Sequence, residues 1–207
     1  MADILGVVLA GGLSRRMEGP EKSLLDLGSK TLVSHVADRL KQQTSKVILN
    51  ANGDASRFSK LGLEIQQDTV EGFVGPLAGV LAGMRWVAAN SEATHIITAA
   101  ADTPFFPQNY ISKMQTHAQN LNAEISLAAS NGRRHPTFGL WPIKLADALE
   151  HFLVEEGNRK VMLFVERYQH CEVNFENLKN DIDPFFNVNT PDDMKKAEHY
   201  MMGQLET

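Results

Sequence analysis

The 207-residue sequence predicts an α/β fold of three layers with a mostly parallel sheet at its centre. Three observations predict it. Short apolar runs alternate with stretches of helical period along nearly the whole chain. Several of those runs are continuously apolar, as in strands buried on both faces. Successive runs also end on glycine, asparagine or aspartate, where open α/β sheets bind ligands at the carboxyl ends of their strands. No repeat, low-complexity tract or linker interrupts the pattern, so residues 1–207 are expected to form one domain, within the usual range of about 50–250 residues.

The first strand is Ile4-Leu5-Gly6-Val7-Val8-Leu9, which runs into Ala10-Gly11-Gly12. Residues 31–43 form a helix with Leu32, Val36 and Leu40 on one stripe beside Val33 and Ala37. Residues 46–51 make a continuous strand, and Asn52-Gly53-Asp54 is a turn signal. A short strand at 64–67 ends at Asp68. Pro76 suits the first position of a helix over 77–89, where Gly79 and Gly83 permit close packing. Residues 95–101 form a strand closed by Asp102-Thr103-Pro104, and 107–119 a helix. Residues 123–129 and 136–141 are both extended with no helix between them, so antiparallel pairing is expected late in the chain. Helices follow over 143–154 and 158–168, then a strand at 170–174 holding Cys171 as a small apolar residue. The last helix starts after Thr190, an N-cap followed by Pro191 and Asp192-Asp193.

Composition excludes several function classes. A net charge of −5 gives no positive field to draw in nucleic acid, so attraction for an anion must be local. One cysteine rules out an internal disulfide framework, and the seven histidines show no zinc-ligand spacing. The N-terminus lacks the basic region of a signal peptide, and no run approaches the roughly 20 apolar residues that span a bilayer. A cytoplasmic protein with no membrane contact is expected.

The chemistry concentrates at strand ends. Gly11-Gly12 reads as a plain β–α turn or as an anion cradle of free backbone N–H groups, and Arg15, Arg16 and Lys22 close behind make phosphate the natural guest. The stretch is neither a P-loop, since Gly19 is followed by Pro20-Glu21-Lys22-Ser23, nor a dinucleotide fingerprint. Asn50 and Asp68 at the next strand ends read as turn residues or as ligand contacts. Asp102 reads as a turn cap or as a Mg²⁺ ligand bridging phosphate oxygens, and a triphosphate on the glycine loop opposite favours the metal.

Leu9-Ala10-Gly11-Gly12-Leu13-Ser14-Arg15-Arg16-Met17 with Lys22 resembles the opening signature of nucleotidyltransferases. With Gly75-Pro76-Leu77-Ala78-Gly79, Asp102-Thr103-Pro104, His135-Pro136 and Asn187-Val188-Asn189-Thr190-Pro191, the chain closely resembles the molybdenum cofactor guanylyltransferase family over residues 5–193. The resemblance implies the Rossmann-like nucleotidyltransferase fold and Mg²⁺-dependent transfer of GMP from GTP to molybdenum-molybdopterin, with release of pyrophosphate. It assigns GTP contacts to Leu9, Ala10, Gly11, Gly12, Lys22, Asn50, Asp68 and Asp102, catalysis to Lys22, Asp102 and Arg16, and the metal to Asp102. Asn187, Asn189, Arg159 and Lys160 fall to the acceptor side, although the asparagines could instead pin the loop and Arg159-Lys160 could be a solvated helix face. His135 is read as structural or acceptor-contacting.

A cytidylyltransferase would carry Leu-Ala-Ala-Gly in the first loop, and a sugar-1-phosphate nucleotidyltransferase a longer chain. A monomer is expected, with transient hand-over contacts to molybdenum cofactor biosynthesis proteins and molybdoenzyme chaperones, because the acceptor is large and labile.

Overall fold

The computed structural model describes residues 3–10, 22–72 and 75–205. In chain order these form β1 (Ile4–Leu9), a small hairpin of β2 (Asp26–Leu27) and β3 (Lys30–Thr31), α1 (Leu32–Lys41), β4 (Val47–Asn50), β5 (Glu64–Gln66) and α2 (Pro76–Asn90). There follow β6 (His95–Ala100), α3 (Tyr110–Leu121), β7 (Ile125–Ser130), β8 (Arg133–Pro142), α4 (Ala146–Val154), α5 (Val161–Val165), β9 (His170–Asn174) and α6 (Pro191–Leu205). Seven strands join in the order β5-β4-β1-β6-β8-β7-β9. All are parallel except β8, which runs antiparallel to both β6 and β7.

Strand alternation divides the core between the two faces of the sheet. Ile4 and Val8 of β1, with Val47, Leu49, Ile97 and Ala99, pack under α1 and α3. Leu5, Val7 and Leu9, with Ile48 and Ile96, pack under α2, α4 and α5. The expected three layers are therefore present, with every residue of β1 and β4 buried. Cys171 is buried in β9 opposite Ser126. No described helix is long and apolar enough to cross a membrane.

Some expected boundaries shift. The helix expected over 143–154 opens with a 3-10 turn at Ile143–Leu145, and the one expected over 158–168 shortens to Val161–Val165. Arg159 and Lys160 thus precede a helix instead of lying on one. Residues Ala55–Leu61 form a 3-10 helix capped by Asp54, which the turn signal at 52–54 did not reveal.

Two features set the geometry of the carboxyl edge. Chain order runs from β1 outward through β4 to β5 and then returns across β1 to β6, so strand order reverses between β1 and β6. That is the topological switch point where open sheets part to admit a ligand. The second feature is the close seating of α2 on β1 and β4. A Cβ at Gly79 would overlap the Asn50 carboxamide and lie 2.8 Å from Leu9 Cδ2, and one at Gly83 would lie 2.8 Å from Val7 Cγ2. These glycines are required by close approach.

Gly79→Ala is expected to destabilise the fold by about 1–3 kcal/mol through overpacking. Because the overlapping atoms belong largely to Asn50, the penalty should shrink by at least about 0.5 kcal/mol in an Asn50→Ala background. Urea unfolding of the two single variants and the double variant checks this; strictly additive losses would contradict it.

Candidate active site at the carboxyl edge of the sheet

The sheet edge is built by stretches of chain that are remote from one another in sequence. Leu9 is buried at the end of β1, and the Ala10 N–H donates to the Asn50 carbonyl at 2.9 Å, tying the end of β1 to β4. Gly11, Gly12, Ser14, Arg15 and Arg16 lie outside the described residues.

Asn50 is 1% exposed and spends both amide hydrogens, on the Gln66 carbonyl at 3.2 Å and on Asp68 Oδ1 at 2.9 Å. Asn52 donates to Asp68 Oδ2 at 2.7 Å and accepts from the Asp68 N–H at 2.9 Å. Two amides therefore fix the Asp68 carboxylate, and Asn50 acts from beneath it. Asn52 is a site residue that sequence reasoning consigned to a turn. Its even spacing from Asn50 is the signal that could have marked it.

Across the switch point, Lys22 begins a 3-10 helix at Lys22–Leu24 and its ammonium reaches Asp102 Oδ2 at 2.8 Å. The same ammonium donates to Asn189 Oδ1. Thr103, fully buried, donates to Asn187 Oδ1 at 2.5 Å and lies 3.2 Å from Asp102 Oδ1. The Val188 N–H donates to the Asp102 carbonyl at 2.9 Å. Four of the anticipated residues, Lys22, Asp102, Asn187 and Asn189, thus form one cluster.

The loop carrying the two asparagines is held from both sides. Val188 is buried with Leu27, Leu32, Phe105, Ala197 and Tyr200, while its neighbours Asn187 and Asn189 stay exposed. Phe105 and Tyr200 meet edge-on at 4.7 Å. At the start of α6 the Thr190 hydroxyl accepts from the Asp193 N–H at 3.1 Å, and Asp193 Oδ2 accepts from the Thr190 N–H at 2.9 Å and the Asn189 N–H at 3.1 Å. This is a reciprocal capping box, with aspartate in the place usually held by glutamate. The Thr190 hydroxyl is the largest influence holding the Asp193 carboxyl below its ordinary range.

Arg159 and Lys160 sit elsewhere. Arg159 donates to the Gly72 carbonyl at 3.4 Å, and Lys160 occupies the N-cap position of α5 without a side-chain capping bond. Neither of these arrangements involves the asparagines at Lys22.

His135 lies further along the same edge, near the start of β8, with its imidazole 2.7 Å from Ser130 Oγ. Burial pushes the ring below the ordinary histidine range; Asp183 pulls the other way and Arg133 adds to the lowering. Ser130 and Asp183 were not anticipated, since 53 residues separate them and neither carries a local motif.

A divalent metal fits this donor set in one way. Among the described residues no group of three or more His, Cys, Asp or Glu converges on a point. A hard cation held through one carboxylate, waters and phosphate oxygens needs no such group, and Asp102 beside the Thr103 hydroxyl supplies that carboxylate. Such a cation would be shared with a bound triphosphate.

Residues 6–171 match the family described as MobA-like NTP transferase domain. The chain is 50% identical to the molybdenum cofactor guanylyltransferase of Mesorhizobium japonicum over 94% of each chain. It is 44% identical to the enzyme of that name from a Bradyrhizobium species, over 93% of this chain and 91% of the relative. A solved structure, molybdopterin-guanine dinucleotide biosynthesis protein A from Archaeoglobus fulgidus, superposes with a TM-score of 0.75 at 26% identity, covering 96% of this chain and 99% of that one. The chain belongs to the MobA-like NTP transferase family and is a nucleotidyltransferase.

Proposed function

We propose that this enzyme transfers GMP from GTP to the terminal phosphate of molybdenum-molybdopterin, forming the guanine dinucleotide form of the cofactor and releasing pyrophosphate. The observation that carries this reading is the meeting of Lys22, Asp102 and Asn189 beside the sheet's switch point. The names of the relatives support it.

The nucleophile in this reaction is a phosphate monoester. Its second pKa is about 6, so it is largely dianionic at neutral pH and needs no base to activate it. The obstacle is bringing one anion up to another. Lys22 would neutralise charge on the triphosphate and on the departing pyrophosphate, together with the backbone of residues 10–12 and Arg16. Enzymes of this family generally depend on a divalent metal. Mg²⁺ held by Asp102 would supply Lewis-acid stabilisation of phosphate charge. Since Lys22 bonds Asp102 Oδ2 here, its ammonium would move from carboxylate to phosphate as the triphosphate enters.

Asp68, held by Asn50 and Asn52, lies on the β4–β5 side of the switch point. A carboxylate only accepts, which suits the N–H groups of guanine or the ribose hydroxyls. Guanine offers N1–H and N2–H₂ donors where cytosine and adenine present other edges. A site built of acceptors leaves polar groups unpaired against the wrong base, which can reject an analogue by as much as ~10⁴-fold.

Release of pyrophosphate should require both GTP and the molybdopterin acceptor, with kcat/KM for GTP far above that for CTP or ATP. A coupled pyrophosphate assay measures this. Equal use of CTP would overturn the guanylyl assignment and leave the transferase standing.

Asp102→Asn should keep the fold, because the Asp102 carbonyl still receives the Val188 N–H. It should lower kcat on the order of a hundredfold or more, since a neutral amide holds a hard cation poorly. Thermal unfolding and steady-state kinetics on the same preparation check both parts; near-normal turnover would remove Asp102 from the metal.

A further inference from the structure

The buried imidazole of His135 has one ring nitrogen that no hydrogen bond among the described residues uses. Ser130 ends β7 and is joined to β8 by Asn131-Gly132, both at positive φ (50° and 71°), the requirement of a two-residue type I′ hairpin. Leu127 pairs with Gly139 but Ala128 pairs with His135, so residues 136–138 bulge out of the ladder. Pairing of β8 with β6 meanwhile stops at Ile97 and Leu140. Bulges beside sites re-aim side chains. Here the His135 ring comes to lie against Phe185, with centroids 4.6 Å apart and planes 30° from parallel, and the residue is 8% exposed.

Hydrogen-bond bookkeeping fixes the tautomer. Asp183 Oδ1 accepts from Ser130 Oγ at 2.7 Å and from the Phe185 N–H at 2.8 Å. The single hydroxyl proton of Ser130 is thereby committed. Its oxygen must accept at 2.7 Å from His135 Nε2, which carries the hydrogen. In the neutral ring Nδ1 is then a bare acceptor. Among the described residues no donor meets it. The charged groups acting on the ring are Asp183, which favours its protonation, and Arg133, which together with burial disfavours it.

Its position says which ligand could supply the donor. β8 and β7 lie on the far side of β6 from β4 and β5, so His135 is across the switch point from Asp68. One strap of chain joins it to the Lys22 cluster. Asp183 holds Ser130, Asn187 meets Thr103, and Asn189 meets Lys22. A lone pair repels phosphate oxygens, so the group received here is a hydrogen-bond donor, and the acceptor's pterin ring carries such donors as N–H. We propose that His135 Nδ1 accepts a hydrogen bond from an N–H on the aminopyrimidinone edge of the acceptor's pterin ring, with Ser130 and Asp183 as positioning residues. The assignment rests on the guanylyl-transfer reading above.

Fluorescence titration with 6-hydroxymethylpterin phosphate tests it on wild type, His135→Gln and His135→Asn. Glutamine keeps an N–H near the Nε2 position for Ser130 and removes the acceptor at δ; asparagine keeps an oxygen at δ and gives up the Ser130 bond. His135→Gln should bind the probe about tenfold more weakly or worse with GTP affinity unchanged, and asparagine should recover part of the loss. Wild type should likewise bind a probe methylated at N3 and the 2-amino group more weakly, a comparison that needs no variant to fold. Wild-type affinity in His135→Gln, or equal binding of the two probes, would overturn the role of Nδ1 alone. Wild type that releases no pyrophosphate from GTP with any pterin acceptor would remove the transfer reading, and this proposal with it.

Discussion

The Lys22 ammonium is the point on which the described site depends. It binds Asp102, 80 residues away, and Asn189, 167 residues away, and so joins the segment after β1, the end of β6 and the loop before α6. The side chains of Lys22 and Asp102 are 31% and 26% exposed. At that exposure an ion pair adds on the order of 1 kcal/mol or less to folding. Its main consequence is placement. A cation and a carboxylate are held together beside the gap where the strand order reverses, at an edge that parallel strands make common to them all.

The loop from Asp183 to Asn189 extends that placement across the sheet. Each polar member takes a different partner along the edge, and Val188 anchors the loop in an apolar cluster of its own with α6 and the β2–β3 hairpin. The late elements of the chain thus close the site that the early strands open. On one flank lies an acceptor-only carboxylate buttressed by two amides; on the other lies a buried imidazole bonded to Ser130. The two flanks would meet different heterocycles, with phosphates between them.

Much of this was legible in the sequence because β1, β4 and β6 are buried on both faces and read as uninterrupted apolar runs. The N-cap at Thr190 and Pro191 at the first position of α6 were equally plain. The capping box through Asp193 was only half visible, since the sequence marks the charge and not its return bond. The β2–β3 hairpin is two residues per strand and carries no period at all. The antiparallel pairing of β7 with β8 was expected from two extended runs with no helix between them, but the bulge at 136–138 that aims His135 has no mark in the sequence. Asn187 and Asn189 were legible as a motif, whereas their contacts with Thr103 and Lys22 depend on how remote elements pack. Arg159 and Lys160 fell to the acceptor side through the family resemblance; the structure places Arg159 at the Gly72 carbonyl and Lys160 at the N-cap position of α5, contacts that no local pattern marks.

A double-variant cycle on Lys22 and Asp102 most directly separates a catalytic pair from a structural pin. Lys22→Met, Asp102→Asn and the two combined would be compared in kcat/KM for GTP at saturating acceptor, with thermal unfolding of each. If both groups act on one bound triphosphate, the combined variant folds like wild type and stays on the order of a hundredfold down or lower, little worse than the poorer single variant. Recovery of near wild-type kcat/KM when both charges are removed together would contradict this, because it would make the pair a mere mutual neutralisation within the fold.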